Sequence, residues 1–353
     1  MKKVFINGLC SVSAQKTFDN NFFLGSIIEY KDTVIPAVDP LYKEFILPAA
    51  ARRMAKGIKM GVVASKIALA NAKINTVDAI ITGTGMGCVR DSEKFVSDII
   101  DNNEEFLTPT AFIQSTHNTV GGQIALEITC QGYNFTYVHS SISFESALMD
   151  ALLQLQNEEA TNILVGGVDE LGDHTVKIHS LIGHIKHNPV STFGMVNSET
   201  EGAVFSEGAN FFVLSNKAEN NYAQLIDVQT YNVLEAENLP KIVTAFLNSN
   251  QYSLEEIDMV VLGNNGDVKY DGYYNILTRS LFSKTPQVYY KHLCGEFNTS
   301  SAFGFWLASK ILKTQNVPSY VMLNDIYPKK MDTILLYNQY RGENHSFVLL
   351  KKC

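Results

Sequence analysis

The 353-residue sequence contains no run of some 18 apolar residues, no CxxC pair and no excess of basic side chains. Each absence removes a class of protein. Without a long apolar run there is no candidate membrane span, and the start, Met-Lys-Lys-Val-Phe-Ile-Asn-Gly, turns polar too soon for a signal peptide. A cytoplasmic protein is therefore expected. A net charge of -8 and a pI near 5.5 argue against a general affinity for nucleic acid or anionic membranes, both of which need a basic surface. The cysteines, Cys10, Cys88, Cys130, Cys294 and Cys353, are odd in number and scattered, so neither a disulfide framework nor a structural zinc site is implied. They read as reduced thiols, mostly buried, and no cofactor or metal is expected.

What is present is core. With 46% hydrophobic and only 18% charged residues, the chain can bury one large core or two intimately packed halves. Residues 49 to 73 are Ala-rich, with Met54, Ile58, Val62 and Ile67 returning to one face, which predicts one long amphipathic helix. Val77 to Thr82 then reads as a strand that breaks at Gly83-Thr84-Gly85-Met86-Gly87. A second such passage runs from strand Phe135–Val138 through His139, Ser140 and Ser141 into a helix carrying Phe144, Ala147, Leu148, Ala151 and Leu155. Strand Asn162–Val165 is expected to end at Gly166-Gly167. Alternating strands and helices with short turns define an α/β protein with a mainly parallel or mixed sheet, covered on both faces.

The second half repeats this order. Ile257 to Leu262 runs into Gly263-Asn264-Asn265-Gly266, and Gln287 to Tyr290 leads through Lys291 to Glu296 into a helix reaching about Leu312. Thr333–Tyr337 and Ser346–Leu350 answer Asn162–Val165 and Asn210–Leu214. The recurrence indicates an internal duplication, with a seam in the polar stretch Ser215–Asn221 and halves spanning 1–215 and 216–353.

Several segments, in this order, resemble the β-ketoacyl synthases: Arg52-Arg53-Met54, the Gly83–Gly87 turn, Asn118-Thr119-Val120 with Gly122-Gln123-Ile124-Ala125, Gly166-Gly167-Val168-Asp169, and Glu201 through Ala209. The resemblance covers essentially the whole chain. It implies a five-layered αβαβα thiolase-like fold of two pseudo-repeated halves, normally dimeric, acting on acyl chains carried as thioesters. It also implies a Cys-His-His catalytic set, and here the sequence departs from it. Ungapped spacing between Gly132 and Gly166-Gly167 puts the nucleophile position at Ser141, the glycine after Asn265 puts the first histidine position there, and counting five from Lys291 puts the second at Glu296.

Condensation needs a nucleophile that accepts an acyl group and donors for the enolate formed on decarboxylation. A serine needs a neighbouring base, and neither family histidine remains. Asn265 can donate a neutral hydrogen bond but exchanges no proton near pH 7, and an ionised Glu296 puts negative charge where negative charge must develop. The glycine-rich gating loop of the family reads Asn338-Gln339-Tyr340-Arg341-Gly342-Glu343-Asn344, placing Tyr340, Arg341 and Gly342 in the substrate-gating region.

The resemblance is thus to a chain-length-factor-like member of fatty acid or polyketide biosynthesis. It implies a non-condensing subunit paired with an active ketosynthase, as in aromatic polyketide and aryl-polyene or flexirubin-type systems, with acyl carrier protein a further possible partner. Two alternatives stay open: a serine-dependent acyltransferase or decarboxylase acting on acyl carrier protein, and a homodimeric acyl-binding protein. Other residues carry weaker signals. His139 lies two before Ser141 on a strand that need not aim it there. His117 belongs to a segment expected near the dimer interface. His174, His179, His184 and His187 have no clean helical pairing for a metal, Cys294 and Cys88 fit buried packing, and Glu207 fits structural hydrogen bonding.

Overall fold

The runs of apolar and β-branched residues form ten strands: β1 (Val4–Val12), β2 (Ala79–Gly83), β3 (Tyr133–Tyr137), β4 (Asn162–Asp169), β5 (Gly208–Ser215), β6 (Ala223–Val233), β7 (Met259–Leu262), β8 (Gln287–Tyr289), β9 (Thr333–Tyr340) and β10 (Glu343–Lys351). The structure is a computed structural model describing residues 2–21, 23–328 and 330–353. The strands order as β3-β2-β4-β5-β1-β6-β10-β9-β7-β8. Replacing β1 to β5 by β6 to β10 in turn converts the first half of that order into the second, read from the opposite edge. Parallel pairing joins β2 to β3 and β4, and likewise β7 to β8 and β9, while antiparallel pairs link the rest. The sheet is mixed, as expected, and runs unbroken across the middle through the β1–β6 ladder.

Layering follows from which helix faces are apolar. Helices Ser143–Gln156 and Ser301–Thr314 touch strands of both halves, and one buried cluster joins Phe144 and Phe212 of the first half to Val261 and Leu336 of the second. Trp306 and Phe305 fill the space between them. Lys56–Ala72 and Thr119–Ile128 cover the outer face of the first half, with a second cluster around Val63, Ile124 and Phe211. Leu239–Ser249 and Gly272–Ser280 cover the second half around Phe246, Val260 and Leu335. Burial at roughly 25 cal/mol per Å² of apolar surface is what holds these layers together. Among the described residues, no helix is long and apolar enough to cross a membrane.

Two local expectations need correction. The predicted helix over 49–73 is two, a short one at Pro48–Ala51 and a long one beginning at Lys56. Tertiary contacts set that start: the Glu170 carboxylate accepts the Gly57 N–H at 2.6 Å, and Glu207 takes Lys56 at 2.5 Å, so two acids sit where a helix N-terminus favours negative charge. Nor does the strand at Asn162 stop at Gly166-Gly167; β4 continues to Asp169, pairing Gly166 with Phe211 and Gly167 with Asn210. The glycines serve close approach here, because a Cβ on Gly167 would stand 2.7 Å from Thr299.

The two edges of the sheet differ. β8 is wholly buried and covered by the bridge from Val288 to Met322, whereas β3 exposes Tyr133 and Phe135 along an unpaired edge.

A glycine test follows from the packing of β1. A Cβ on Gly8 would collide with the Ala68 carbonyl of the covering helix, while one on Gly25 would meet nothing within 4 Å. Gly8→Ala is expected to lower stability by about 1–3 kcal/mol. Gly25→Ala should leave the urea midpoint nearly unchanged, and equal midpoints for the two variants would contradict the packing.

Candidate functional site

The strand-to-helix turn after β3 is the first component. Ser140 sits at φ +51°, a left-handed conformation that costs a non-glycine residue about 1–3 kcal/mol and is tolerated where surrounding structure imposes it. It delivers Ser141, 2% exposed, to the turn preceding the helix at Ser143. Asn344 Nδ2 donates to Ser141 Oγ at 3.0 Å. Among the described residues no acceptor receives the serine's own proton, and no imidazole or carboxylate bonds to it. His139 Nδ1 turns instead to Ser146 Oγ at 3.2 Å.

The second component gathers Asn265, Lys291 and Glu296. The loop after β7 is pinned by Asp271, whose carboxylate accepts the backbone N–H groups of Asn265 at 3.2 Å and Gly266 at 3.0 Å. Burial pushes the Asp271 carboxyl up to about 6 despite those bonds. Lys186 Nζ adds a bond to the Gly266 carbonyl at 2.8 Å. Thus fixed, Asn265 Nδ2 donates to Glu296 Oε2 at 2.6 Å. Lys291 Nζ reaches the same carboxylate at 2.7 Å and 3.0 Å, and Ser300 Oγ donates to Oε1 at 3.0 Å.

A carboxylate offers about four lone-pair positions, and Glu296 receives four such contacts. The Asn265 amide and the Lys291 ammonium are both engaged by a fixed internal anion. Lys291 is 1% and Glu296 2% exposed, so no solvent relieves the arrangement. Backbone bonds from Glu296 N–H to the Val204 carbonyl, and from Ser206 N–H to the Glu296 carbonyl, fasten the residue to the neighbouring segment.

A third acidic group was not singled out by sequence reasoning. Glu145, on the first turn of the Ser143–Gln156 helix, is fully buried; Oε1 accepts from Ser346 Oγ at 2.9 Å, and Oε2 has no partner among the described residues. Burial drives its carboxyl above the usual range, only partly offset by hydrogen bonds and by the Lys291 charge. A glutamate between Phe144 and Ala147 on an otherwise apolar helix face was the available signal.

The segment that the family resemblance assigns to gating is a hairpin. β9 ends at Tyr340 and β10 begins at Glu343, leaving Arg341 (φ +54°) and Gly342 (φ +79°) as a two-residue turn with both residues left-handed. Arg341 packs over the Tyr270 ring and lies 3.6 Å from Asp267. Burial, reinforced by the nearby Glu296 charge, pushes the Tyr340 phenol up. Tyr340 and Glu296 share a pocket of about 60 Å³ with Met86, His179 and Phe205. That is small beside the roughly 300–1,000 Å³ of ordinary ligand clefts, and Ser141 does not line it.

The remaining candidates separate. Cys294 is fully buried and burial pushes its thiol well up, as it does for Cys88, which fits packing rather than nucleophilicity. Glu207 binds Lys56 and the N–H groups of Ala37 and Leu171, a joint between segments. His179 and His184 do meet, Nδ1 to Nδ1 at 3.0 Å, because the Gly183 turn brings them together, with His184 pushed down to about 4 by burial and then by Arg341. Among the described residues no group of three potential ligands could hold a metal.

A duplicated ten-stranded sheet enclosing two central helices, with a buried polar site where the helix-entering turns meet, defines a thiolase-like scaffold. The chain belongs to the β-ketoacyl synthase family: the family's "Beta-ketoacyl synthase, N-terminal domain" model matches residues 25–220. No curated protein matches it in sequence. In structure it is similar to the ishigamide ketosynthase/chain length factor, with a TM-score of 0.85 at 15% identity over 100% of this chain and 99% of that one. It is also similar to a β-ketoacyl synthase from Burkholderia phymatum STM815, with a TM-score of 0.81 at 15% identity and complete coverage of both chains. A third likeness is to the ketosynthase ApeO in complex with its chain length factor ApeC from Xenorhabdus doucetiae, with a TM-score of 0.78 at 15% identity over 100% of this chain and 98% of that one.

Substitutions at three residues probe the site. Glu296→Ala leaves Lys291 buried without its counter-charge and is expected to cost about 3–5 kcal/mol, whereas Lys291→Met combined with Glu296→Met should recover most of the loss. Urea midpoints compare them, and a double variant as unstable as the single would contradict the pairing. For Glu145 the sign is opposite. A carboxyl whose folded-state pKa is raised contributes stability at low pH that is lost as pH rises from the unfolded value through the folded one. Glu145→Gln should therefore melt increasingly above the wild type from pH 5 to pH 8, and a gap that narrows with rising pH would contradict the assignment.

Proposed function

We propose that this chain is a non-condensing, chain-length-factor-like subunit of fatty acid or polyketide biosynthesis that works beside an active β-ketoacyl synthase in the cytoplasm. The observation that carries this reading is the Glu296 carboxylate, held by Asn265, Lys291 and Ser300 at the place the family resemblance assigns to a catalytic histidine. Condensation asks that position to stabilise developing negative charge, and a loss of preorganised donors of this kind costs about 10²–10³ in rate for one group alone. Ser141, with an amide donating to its oxygen and no base to accept its proton, supports the same conclusion.

The resemblance and the hairpin agree on what remains. Tyr340 and Arg341 close the site with side chains rather than a mobile glycine loop, so acyl carrier protein would be served by the partner subunit. The contribution of this chain is then shape: it completes the partner's fold and bounds the space for its growing acyl chain. Printed names of two structural neighbours, a ketosynthase/chain length factor and a ketosynthase in complex with its chain length factor, support that pairing.

Co-expression with a ketosynthase carrying an intact Cys-His-His set tests this. A 1:1 mixed dimer by size exclusion with light scattering, and a product length that changes when the subunit is omitted, are expected. Two proteins that elute separately would contradict it.

A further inference from the structure

Of the histidines His174, His179, His184 and His187, two are brought together by the backbone itself. The helix Asp173–Leu181 closes in a glycine turn: Gly183 takes φ +74°, its N–H donates to the Ser180 carbonyl at 3.2 Å, and the His184 N–H reaches back to the His179 carbonyl at 2.9 Å. A turn with this pair of bonds sets the side chains at those two positions against each other, frequently as an apolar contact. Here both are imidazoles. His184 is held on its other side as well, its carbonyl accepting the Ala203 N–H at 2.9 Å, and the His179 ring packs on Phe205 with centroids 5.1 Å apart.

The two Nδ1 atoms stand 3.0 Å apart. With metal–nitrogen bonds of about 2.0–2.1 Å, that separation corresponds to a nitrogen–metal–nitrogen angle of roughly 91–97°. Tetrahedral zinc asks for about 109°, whereas tetragonal Cu(II) and Ni(II) place neighbouring ligands near a right angle. Both rings are half-buried, so a hydrated ion can reach them. Among the described residues neither Nε2 is hydrogen-bonded, so each ring can carry its proton there and turn an Nδ1 lone pair to the metal. Burial first, and then Arg341, holds both imidazoles below the ordinary histidine value, His184 at about 4, which keeps protons from competing near neutral pH. Arg341 also opposes a cation, and Asp267, 3.6 Å from it, offsets part of that charge.

We propose that His179 and His184 form a bidentate site for a divalent transition metal of tetragonal or octahedral geometry. Among the described residues no third side chain completes the set, so water fills the other positions. Such an ion ties the end of the helix to the segment bridged to Ala203, at the edge of the pocket that His179 shares with Tyr340 and Glu296. The proposal is independent of the subunit reading above.

Isothermal titration of the full-length chain with Ni²⁺ at pH 7.5 tests it. Saturable uptake of one ion per chain is expected, weakened at least tenfold in His179→Asn and in His184→Asn and unchanged in His187→Asn. Unchanged circular dichroism in the variants confirms that the fold is intact. A second measurement needs no variant: with one equivalent of Cu²⁺, electron paramagnetic resonance of the wild type should show coupling to two imidazole nitrogens. No uptake, or coupling to a single nitrogen, would overturn the proposal. So would uptake that survives both substitutions, which places the ion elsewhere, at a group such as the exposed Cys353.

Discussion

The Lys291–Glu296 ion pair is the constraint from which the rest of the site takes its form. Two opposite charges buried this deeply are held because the carboxylate gathers several donors: it has Asn265, Ser300 and the ammonium, and its backbone is fastened to Val204 and Ser206. Buried pairs of this kind add little net stability, since desolvation offsets attraction, but losing one member is costly. The pair therefore acts as a lock. Through Asn265 the paired carboxylate also fixes the turn after β8 to the loop after β7, and the donors of both face an internal anion.

The surroundings of Lys291 explain why this lock is compatible with a folded core. Glu145 and Asp271 are also buried, and the lysine's charge lowers the cost of each, though not enough to bring either carboxyl back to its ordinary range. One cation thus serves three acids, and burial holds the Glu145 carboxyl above its ordinary range. A histidine in place of Glu296 would meet a different charge balance, which ties this substitution to the acids around it.

Much of the fold was legible in the sequence because strand positions follow from apolar runs broken at glycines, and the duplication showed in the recurrence of Gly83–Gly87 and Gly263–Gly266. The family resemblance, applied to the spacing, singled out Ser141, Asn265, Lys291 and Glu296, and the structure brings the last three into direct contact. What spacing does not carry is anything decided across the chain. The helix start at Lys56 depends on Glu170 and Glu207, more than a hundred residues away, and Gly166-Gly167 reads as a turn until Phe211 and Thr299 are seen pressing on it. His179 and His184 meet through a turn rather than a helical face, so helical spacing hid them. Glu145 was masked by the apolar helix that carries it.

The proposed loss of acyl chemistry at Ser141 is tested most directly by intact-mass spectrometry of the purified chain after incubation with acyl and malonyl thioesters on acyl carrier protein. With its oxygen held by Asn344 and its proton without an acceptor, Ser141 should remain unmodified and the mass should not change. An acyl adduct that disappears in Ser141→Ala would contradict the account and restore a covalent role to this site.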